Sequence, residues 1–162
     1  MTAAQAASFV PRTPSFEART RDSFSRQGFM AHIGARMGRV EPGFCEIIVD
    51  FTPDLAQQHG YFHGGLIGTI ADNAGAYAAF TLLPEDASVL TVEYKMNLLA
   101  PGDGERLVAR ARTLRAGKRL SVSQVDVFVA RAGAELLCAT ALVTLMPMSG
   151  FPDRPSRESA EA

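Results

Sequence analysis

The segment 64–83, GGLIGTIADNAGAYAAFTLL, constrains this chain more than any other part of it. It holds no proline, lysine or arginine, and Pro84 closes it. An α-helix of that length spans about 30 Å. Its polar residues are only Thr69, Asp72, Asn73, Tyr77 and Thr81. A helix that is apolar nearly all round belongs inside something. The chain has 162 residues, the length of one domain, with 47% hydrophobic and 20% charged residues. That composition supports one sizeable core and argues against wholesale disorder.

The rest of the sequence reads as material for wrapping that helix. Residues 33–51 contain a strand, since FCEIIVDF is rich in β-formers and ends near Pro53. Four further strands are expected over 89–99, 106–115, 120–130 and 135–146. Turn residues separate them at Pro101-Gly102-Asp103-Gly104, Ala116-Gly117-Lys118 and Ala132-Gly133-Ala134. The last two gaps are hairpin-sized and imply antiparallel pairing. In 89–99 the even positions are apolar (Leu90, Val92, Tyr94, Met96, Leu98), while the odd ones include Thr91, Glu93, Lys95 and Asn97. That is half-buried alternation. A short helix is expected over 15–27, with Ser15 as cap, Phe16 and Phe24 as apolar stripe and Gly28 as stop. The expectation is an α+β chain: one long central helix wrapped by a curved antiparallel sheet of five to six strands. It comprises a flexible arm over 1–14, one domain over 15–148 and a disordered tail over 149–162. The helix buries every face only if the sheet curls round it and a second subunit covers the remainder.

Several function classes drop out. A net charge of −1 offers no field for nucleic acid or a membrane surface. No apolar run reaches the ~18 residues of a membrane span. Two cysteines, Cys45 and Cys138, make neither a disulfide scaffold nor a zinc module. Arg12 follows the short apolar stretch near the start, the wrong order for a secretory signal, so the cytoplasm is the expected compartment. His59 and His63 are four apart, but Gly60 and the Gly64-Gly65 pair interrupt any helix through both. No third ligand lies near, and no metal is expected. Walker, dinucleotide and nucleophile-elbow motifs are absent.

Asp72 is the outlier. A carboxylate between Ile70-Ala71 and Ala74 costs several kcal/mol to bury without a partner, or else takes a proton. No Lys or Arg lies within a helical turn of it. It either faces a polar gap, pairs with a basic residue from a strand, or carries chemistry. Upstream, Gln57-Gln58-His59-Gly60-Tyr61-Phe62-His63-Gly64-Gly65 leads into the helix. Glycines at a helix start let a ligand approach the backbone, and the free N–H groups there favour negative charge. That is equipment for an oxyanion, and also an ordinary helix entry. The cluster Arg106, Arg110, Arg112, Arg115, Lys118 and Arg119 is either a solvated strand face or a contact for a polyanion such as the phosphates of coenzyme A.

Gln57, His63-Gly64-Gly65, Asp72-Asn73-Ala74, Thr91 and Leu99-Ala100-Pro101 together resemble the hotdog-fold acyl-CoA thioesterases of the PaaI-like, phenylacetate-degradation type. The likeness covers residues 30–147. It implies strand order 1-3-4-5-2 and dimers joined sheet edge to sheet edge, often paired into tetramers. By the resemblance, Asp72 is the catalytic carboxylate and Gly64 supplies the N–H that polarises the thioester carbonyl. His63 holds that loop, and Thr91 holds the water near the carboxylate. Gln57 falls where relatives carry an Asn that positions water or carbonyl, and is one methylene longer. Gly65, Asn73, Arg115, Lys118 and Arg119 are expected to bind substrate.

The implied activity is hydrolysis of an aryl- or medium-chain acyl-CoA, with Asp72 as general base or nucleophile. No cofactor is expected, coenzyme A being part of the substrate. The partners expected are that substrate and further copies of the chain, as a homodimer or homotetramer with shared sites. A hotdog hydratase or dehydratase would need a His-and-acid motif that is not found. A binding-only acyl-CoA protein would gain from an apolar residue at position 72.

Overall fold

A computed structural model describes residues 9–151 and 153. Helices α1 (Phe16–Ser25) and α2 (Gly28–His32) precede a hairpin of β1 (Arg36–Glu41) and β2 (Phe44–Asp50). A 3-10 turn over Pro53–Leu55 leads to α3 (Gly64–Phe80). Then come β3 (Ala87–Leu98), β4 (Arg106–Ala116), β5 (Ser121–Arg131) and β6 (Ala134–Ser149). The strands form one antiparallel sheet in the order β1-β2-β4-β5-β6-β3. From β2 onward this is the expected order 1-3-4-5-2. The stretch 33–51 gives two strands because Pro42-Gly43 breaks it, with Gly43 at φ +74° in the turn.

The sheet wraps α3 as its composition demands. Ile70, Ala71, Ala74 and Ala78 are completely buried, and Val125, Val127 and Val143 meet them from β5 and β6. Burying a side chain such as Ile70 contributes roughly 1.5–3 kcal/mol. At Gly75 the helix lies so close to the sheet that a Cβ would stand 2.8 Å from Val143 Cγ2. Along β5 every second residue from Ser121 to Val129 is buried, as a half-buried strand requires.

Helix α1 straps the far end of α3. Arg19 donates to the carbonyls of Leu83 and Ala87 and lies 4.0 Å over the Phe80 ring. Phe24 packs edge-on against Tyr77, and Ser23 Oγ is 3.0 Å from its hydroxyl. The helix is shorter than the expected 15–27. Ser15 occupies the cap position, but its hydroxyl bonds Thr13 and Glu85 instead of the helix N–H groups. Gly28, expected as a stop, opens α2.

One stripe of α3 stays uncovered: Gly65, Thr69, Asp72, Asn73 and Ala76 keep surface open to solvent. Their spacing is one helical face. Strand β3 corrects the alternation expected for it. A bulge between Thr91 and Glu93 turns Thr91 to the same side as Tyr94 and Met96, facing α3. Most of the arm expected over 1–14 and the tail expected over 149–162 lies outside the described residues. Within them, Thr13 is buried against Glu85, and Asp153 pairs with Arg26. Cys45 and Cys138 are buried, unpaired thiols. Among the described residues no helix is long and apolar enough to cross a membrane.

Candidate active site

Asp72 stands on the open stripe of α3, and Thr91 Oγ1 donates to its Oδ1 at 2.8 Å. The bulge in β3 makes that bond possible. Burial pushes the Asp72 carboxyl above the usual carboxylate range, and the Thr91 hydrogen bond opposes the shift only in part. No cation pairs with Asp72 among the described residues. A cavity of about 460 Å³ opens onto it, walled by Gln27, Gly28, Phe29 and Met30, by Thr69 and Asn73, and by Tyr94.

Gly64 begins the same helix. His63 is the cap, its Nδ1 accepting from the Gly65 N–H at 2.9 Å. The N–H groups of Leu66 and Ile67 both reach the His63 carbonyl. The Gly64 N–H has no acceptor among the described residues. The loop before it is braced: Gln57 N–H donates to Tyr61 O, Phe62 N–H to Gly102 O, and His63 N–H to Leu55 O. Gln57 Oε1 accepts from the His59 N–H, and its amide nitrogen has no partner among the described residues. A second cavity, about 450 Å³, is lined by Gln57, Tyr61, Gly64, Leu98 and Pro101.

One chain thus places Asp72 and Gly64 in separate cavities. Eight residues of helix set them about 12 Å apart along its axis. The expected groups divide between the two: Thr91 and Asn73 with Asp72, Gln57 and His63 with Gly64. Gly65 is engaged in the cap. The basic cluster divides as well. Arg106 pairs with Asp50, and Arg110 with Glu46 and Glu135. Arg112 lies over the Phe44 ring. Arg115, Lys118 and Arg119 have no ion pair among the described residues. Lys118 borders a third cavity, with Arg12, Leu82 and Leu83, beyond the other end of α3.

Sequence reasoning does not find Gln27, Phe29 or Tyr94. Gln27 accepts from Asn73 Nδ2 and donates to the Tyr77 hydroxyl, both at 3.0 Å. These partners lie 46 and 50 positions away, and no local pattern announces them. The Tyr77 phenol, buried in this network, is pushed up to about 12. Among the described residues no three His, Cys, Asp or Glu side chains gather as a metal site.

One central helix, an antiparallel sheet curled round it in this strand order and a helix start with a free N–H define the hotdog class. Comparison with known proteins agrees. Residues 59–134 match the model of the thioesterase superfamily. A Saccharolobus solfataricus protein, named provisionally as an esterase, is 33% identical over 112 residues, covering 69% of this chain and 72% of its own. A thioesterase family protein of Silicibacter pomeroyi has a crystal structure similar to this one, with TM-score 0.82 and 42% identity over 83% of this chain and 99% of that one. The 1,4-dihydroxy-2-naphthoyl-CoA hydrolase of Listeria monocytogenes is 27% identical over 62% of this chain and 81% of its own. The PaaI protein of the E. coli phenylacetic acid degradation operon shares the fold, with TM-score 0.75 and 18% identity over 85% of this chain and 96% of that one. The chain belongs to the thioesterase superfamily, and its activity is thioester hydrolysis.

Proposed function

We propose that the protein hydrolyses an aryl- or medium-chain acyl-CoA to the free acid and coenzyme A, at a site shared between two copies of the chain. The observation that carries this reading is the environment of Asp72: a carboxylate facing a cavity, desolvated, with one hydroxyl donor and no cation among the described residues. Such a group accepts a proton near neutral pH more readily than an exposed aspartate. Asp72 takes a proton from a water as the water oxygen bonds to the thioester carbonyl carbon. The carbonyl oxygen gains the negative charge and accepts from the Gly64 N–H of the other copy. Collapse of this adduct breaks the carbon–sulfur bond, and the thiolate of coenzyme A leaves and takes up a proton. Alternatively Asp72 bonds to the carbonyl carbon itself, expels the thiolate and leaves an anhydride that water cleaves.

Thr91 keeps the carboxylate oriented, and the free Gln57 amide nitrogen is suited to donate to the carbonyl or the water. His63 fixes the helix start, and Gly65 and Asn73 border the substrate. Arg115, Lys118 and Arg119, with no ion pair among the described residues, are suited to the phosphates of coenzyme A. The test is a hydrolysis screen across acyl chain lengths and aryl-CoAs, with a thiol reagent reporting free coenzyme A. Asp72→Asn keeps the shape and removes the charge. It is expected to lower kcat by about 10²–10⁴-fold, the usual contribution of a positioned base. Near-wild-type turnover in that variant would end the reading.

A further inference from the structure

Asp72 and Asn73 follow each other on α3 and border one cavity. Gln27, at the elbow between α1 and α2, donates to the Tyr77 hydroxyl, so its Oε1 is the end that meets Asn73. Asn73 Nδ2 donates to that oxygen at 3.0 Å. This commits the amide nitrogen of Asn73 to the elbow and leaves its oxygen over. Asn73 Oδ1 is buried without a donor, the one side-chain atom in that state among the described residues. A buried acceptor left so costs about 1–3 kcal/mol, and such an atom is normally met by an ordered water or a ligand. Asp72 carries the second acceptor: its Oδ1 takes the Thr91 hydroxyl, and its Oδ2 has no partner among the described residues. The Tyr94 hydroxyl and the N–H groups of Gly28 and Phe29 are also without partners there, so the wall is polar. A cavity of about 460 Å³ has ample room for a water, which needs two to four such partners.

We propose that Asn73 is a further catalytic residue, which holds the attacking water with one hydrogen on its own Oδ1 and the other on Asp72 Oδ2. This rests on the thioesterase reading above and selects the general-base route of its two. With both hydrogens committed to acceptors on adjacent residues, the lone pairs of the water turn to the cavity, where the thioester carbonyl carbon is presented. Asp72 takes one proton as the oxygen–carbon bond forms and the carbonyl π electrons move onto oxygen. The hydrogen on the Asn73 side stays with the product acid. When the carbon–sulfur bond breaks, the thiolate of coenzyme A takes up the proton that Asp72 holds. An amide oxygen suits the second position because it orients the water without competing for its proton. A carboxylate there would set a like charge beside Asp72 and disfavour its ionised form. Were Asp72 to attack the carbonyl itself, no water would take part until the anhydride stood, and the Asn73 acceptor would serve nothing in the first step.

The test measures kcat and KM on phenylacetyl-CoA and hexanoyl-CoA. Asn73→Leu keeps the branched shape and removes the acceptor. It is expected to lower kcat about 10²-fold on both, the usual cost of misplacing a reactant, with KM held within about threefold. Asn73→Ala, which asks less of the packing, should lower kcat by about tenfold or more. Ser23→Ala removes a hydrogen bond from Tyr77 at the far end of the same network, and Ser23 does not border the cavity. It should reduce thermal stability with kcat unchanged. Turnover in oxygen-18 water, followed by mass spectrometry, should put label in the product acid and none in the peptide that carries Asp72. Wild-type kcat in the Asn73 variants overturns the assignment, as does a loss in Ser23→Ala that equals theirs. Label in Asp72 overturns it too, since the carboxylate has then attacked the thioester itself. Failure of the unaltered protein to hydrolyse any acyl-CoA overturns the thioesterase reading and this assignment with it, whereas full activity in Asn73→Leu overturns the assignment alone.

Discussion

Asp72 is pulled two ways. Desolvation raises its pKa, and the Thr91 hydroxyl, bonded to the charged form, pulls it back. Two predictions follow from the signs. Removing the hydroxyl with Thr91→Val should move the acid limb of kcat/KM to higher pH, because the carboxylate then needs a higher pH to ionise. A pH–rate profile checks this, and an unmoved limb would mean that Asp72 is not the group that titrates. The second concerns stability. A carboxyl whose folded pKa exceeds its unfolded one destabilises the fold once ionised, and that penalty fades as pH falls through the folded value. Asp72→Asn should therefore raise Tm at neutral pH, with the gain shrinking toward acid, where both side chains are neutral. Asp72 is legible in the sequence as the only residue of an apolar helix that is charged at neutral pH. Thr91 is not legible from alternation, which assigns it to the wrong face. Only the bulge brings it round, and no residue type in that stretch announces a bulge. Gln27 is hidden for a different reason: its partners, Asn73 and Tyr77, lie across the fold.

Among the elements, α3 carries both structure and site, and the two demands can be separated by mutation. Gly75 meets the sheet, where an added Cβ would stand 2.8 Å from Val143 Cγ2 and 3.3 Å from Val125 Cγ2. Neither valine is the far end of a flexible side chain. Gly75→Ala should cost about 1–3 kcal/mol, the usual penalty for overpacking, measured by urea denaturation. Wild-type stability in that variant would mean that the helix can ride away from β5 and β6. The existence of α3 is the most legible feature of the sequence, because twenty residues without a charge other than Asp72 have few alternatives. Its end is less so: the helix stops at Phe80 and the chain turns through Leu82 and Leu83. The β1–β2 hairpin is half-legible. Pro42-Gly43 is a turn signal, but RMGRVE before it lacks the alternation of a strand.

At the scale of the whole molecule, the proposed mechanism leaves one chain unfinished as a catalyst. Its open helical stripe carries Asp72, and β3, an edge of the sheet, exposes Leu90, Val92 and Leu98, each more than half. A long apolar edge invites pairing with another strand. The opposite edge, β1, is short and carries Arg36, Arg39 and Glu41. If Gly64 and Asp72 serve one carbonyl, as proposed, the geometry of one chain forbids a complete site. A carbonyl oxygen must lie about 3 Å from the Gly64 N–H, with the attacking atom about 3 Å from its carbon. Asp72 of the same helix is about 12 Å further along the axis. A second copy, antiparallel across a two-fold axis, would set Asp72 of one chain opposite Gly64 of the other and give two equivalent sites.

Complementation tests this arrangement, and the helix start offers a clean lesion. Gly64 is the first residue of α3, where proline is tolerated and its missing N–H breaks no helical hydrogen bond. His63 before it has ψ 135°, the extended conformation that a residue preceding proline prefers. A Cβ at this position meets only the flexible end of Leu98, whose Cδ1 stands 3.3 Å away. Gly64→Pro should thus fold and lose about 10²–10³ in kcat, as removal of an oxyanion donor does. Asp72→Ala should also fold and be inactive. In a mixed dimer of the two variants, one site receives both lesions and the other neither, so about half of the wild-type activity per dimer returns. If mixed dimers assemble and stay inactive, each site draws Asp72 and Gly64 from one chain, or one of them takes no part, and the shared site is wrong.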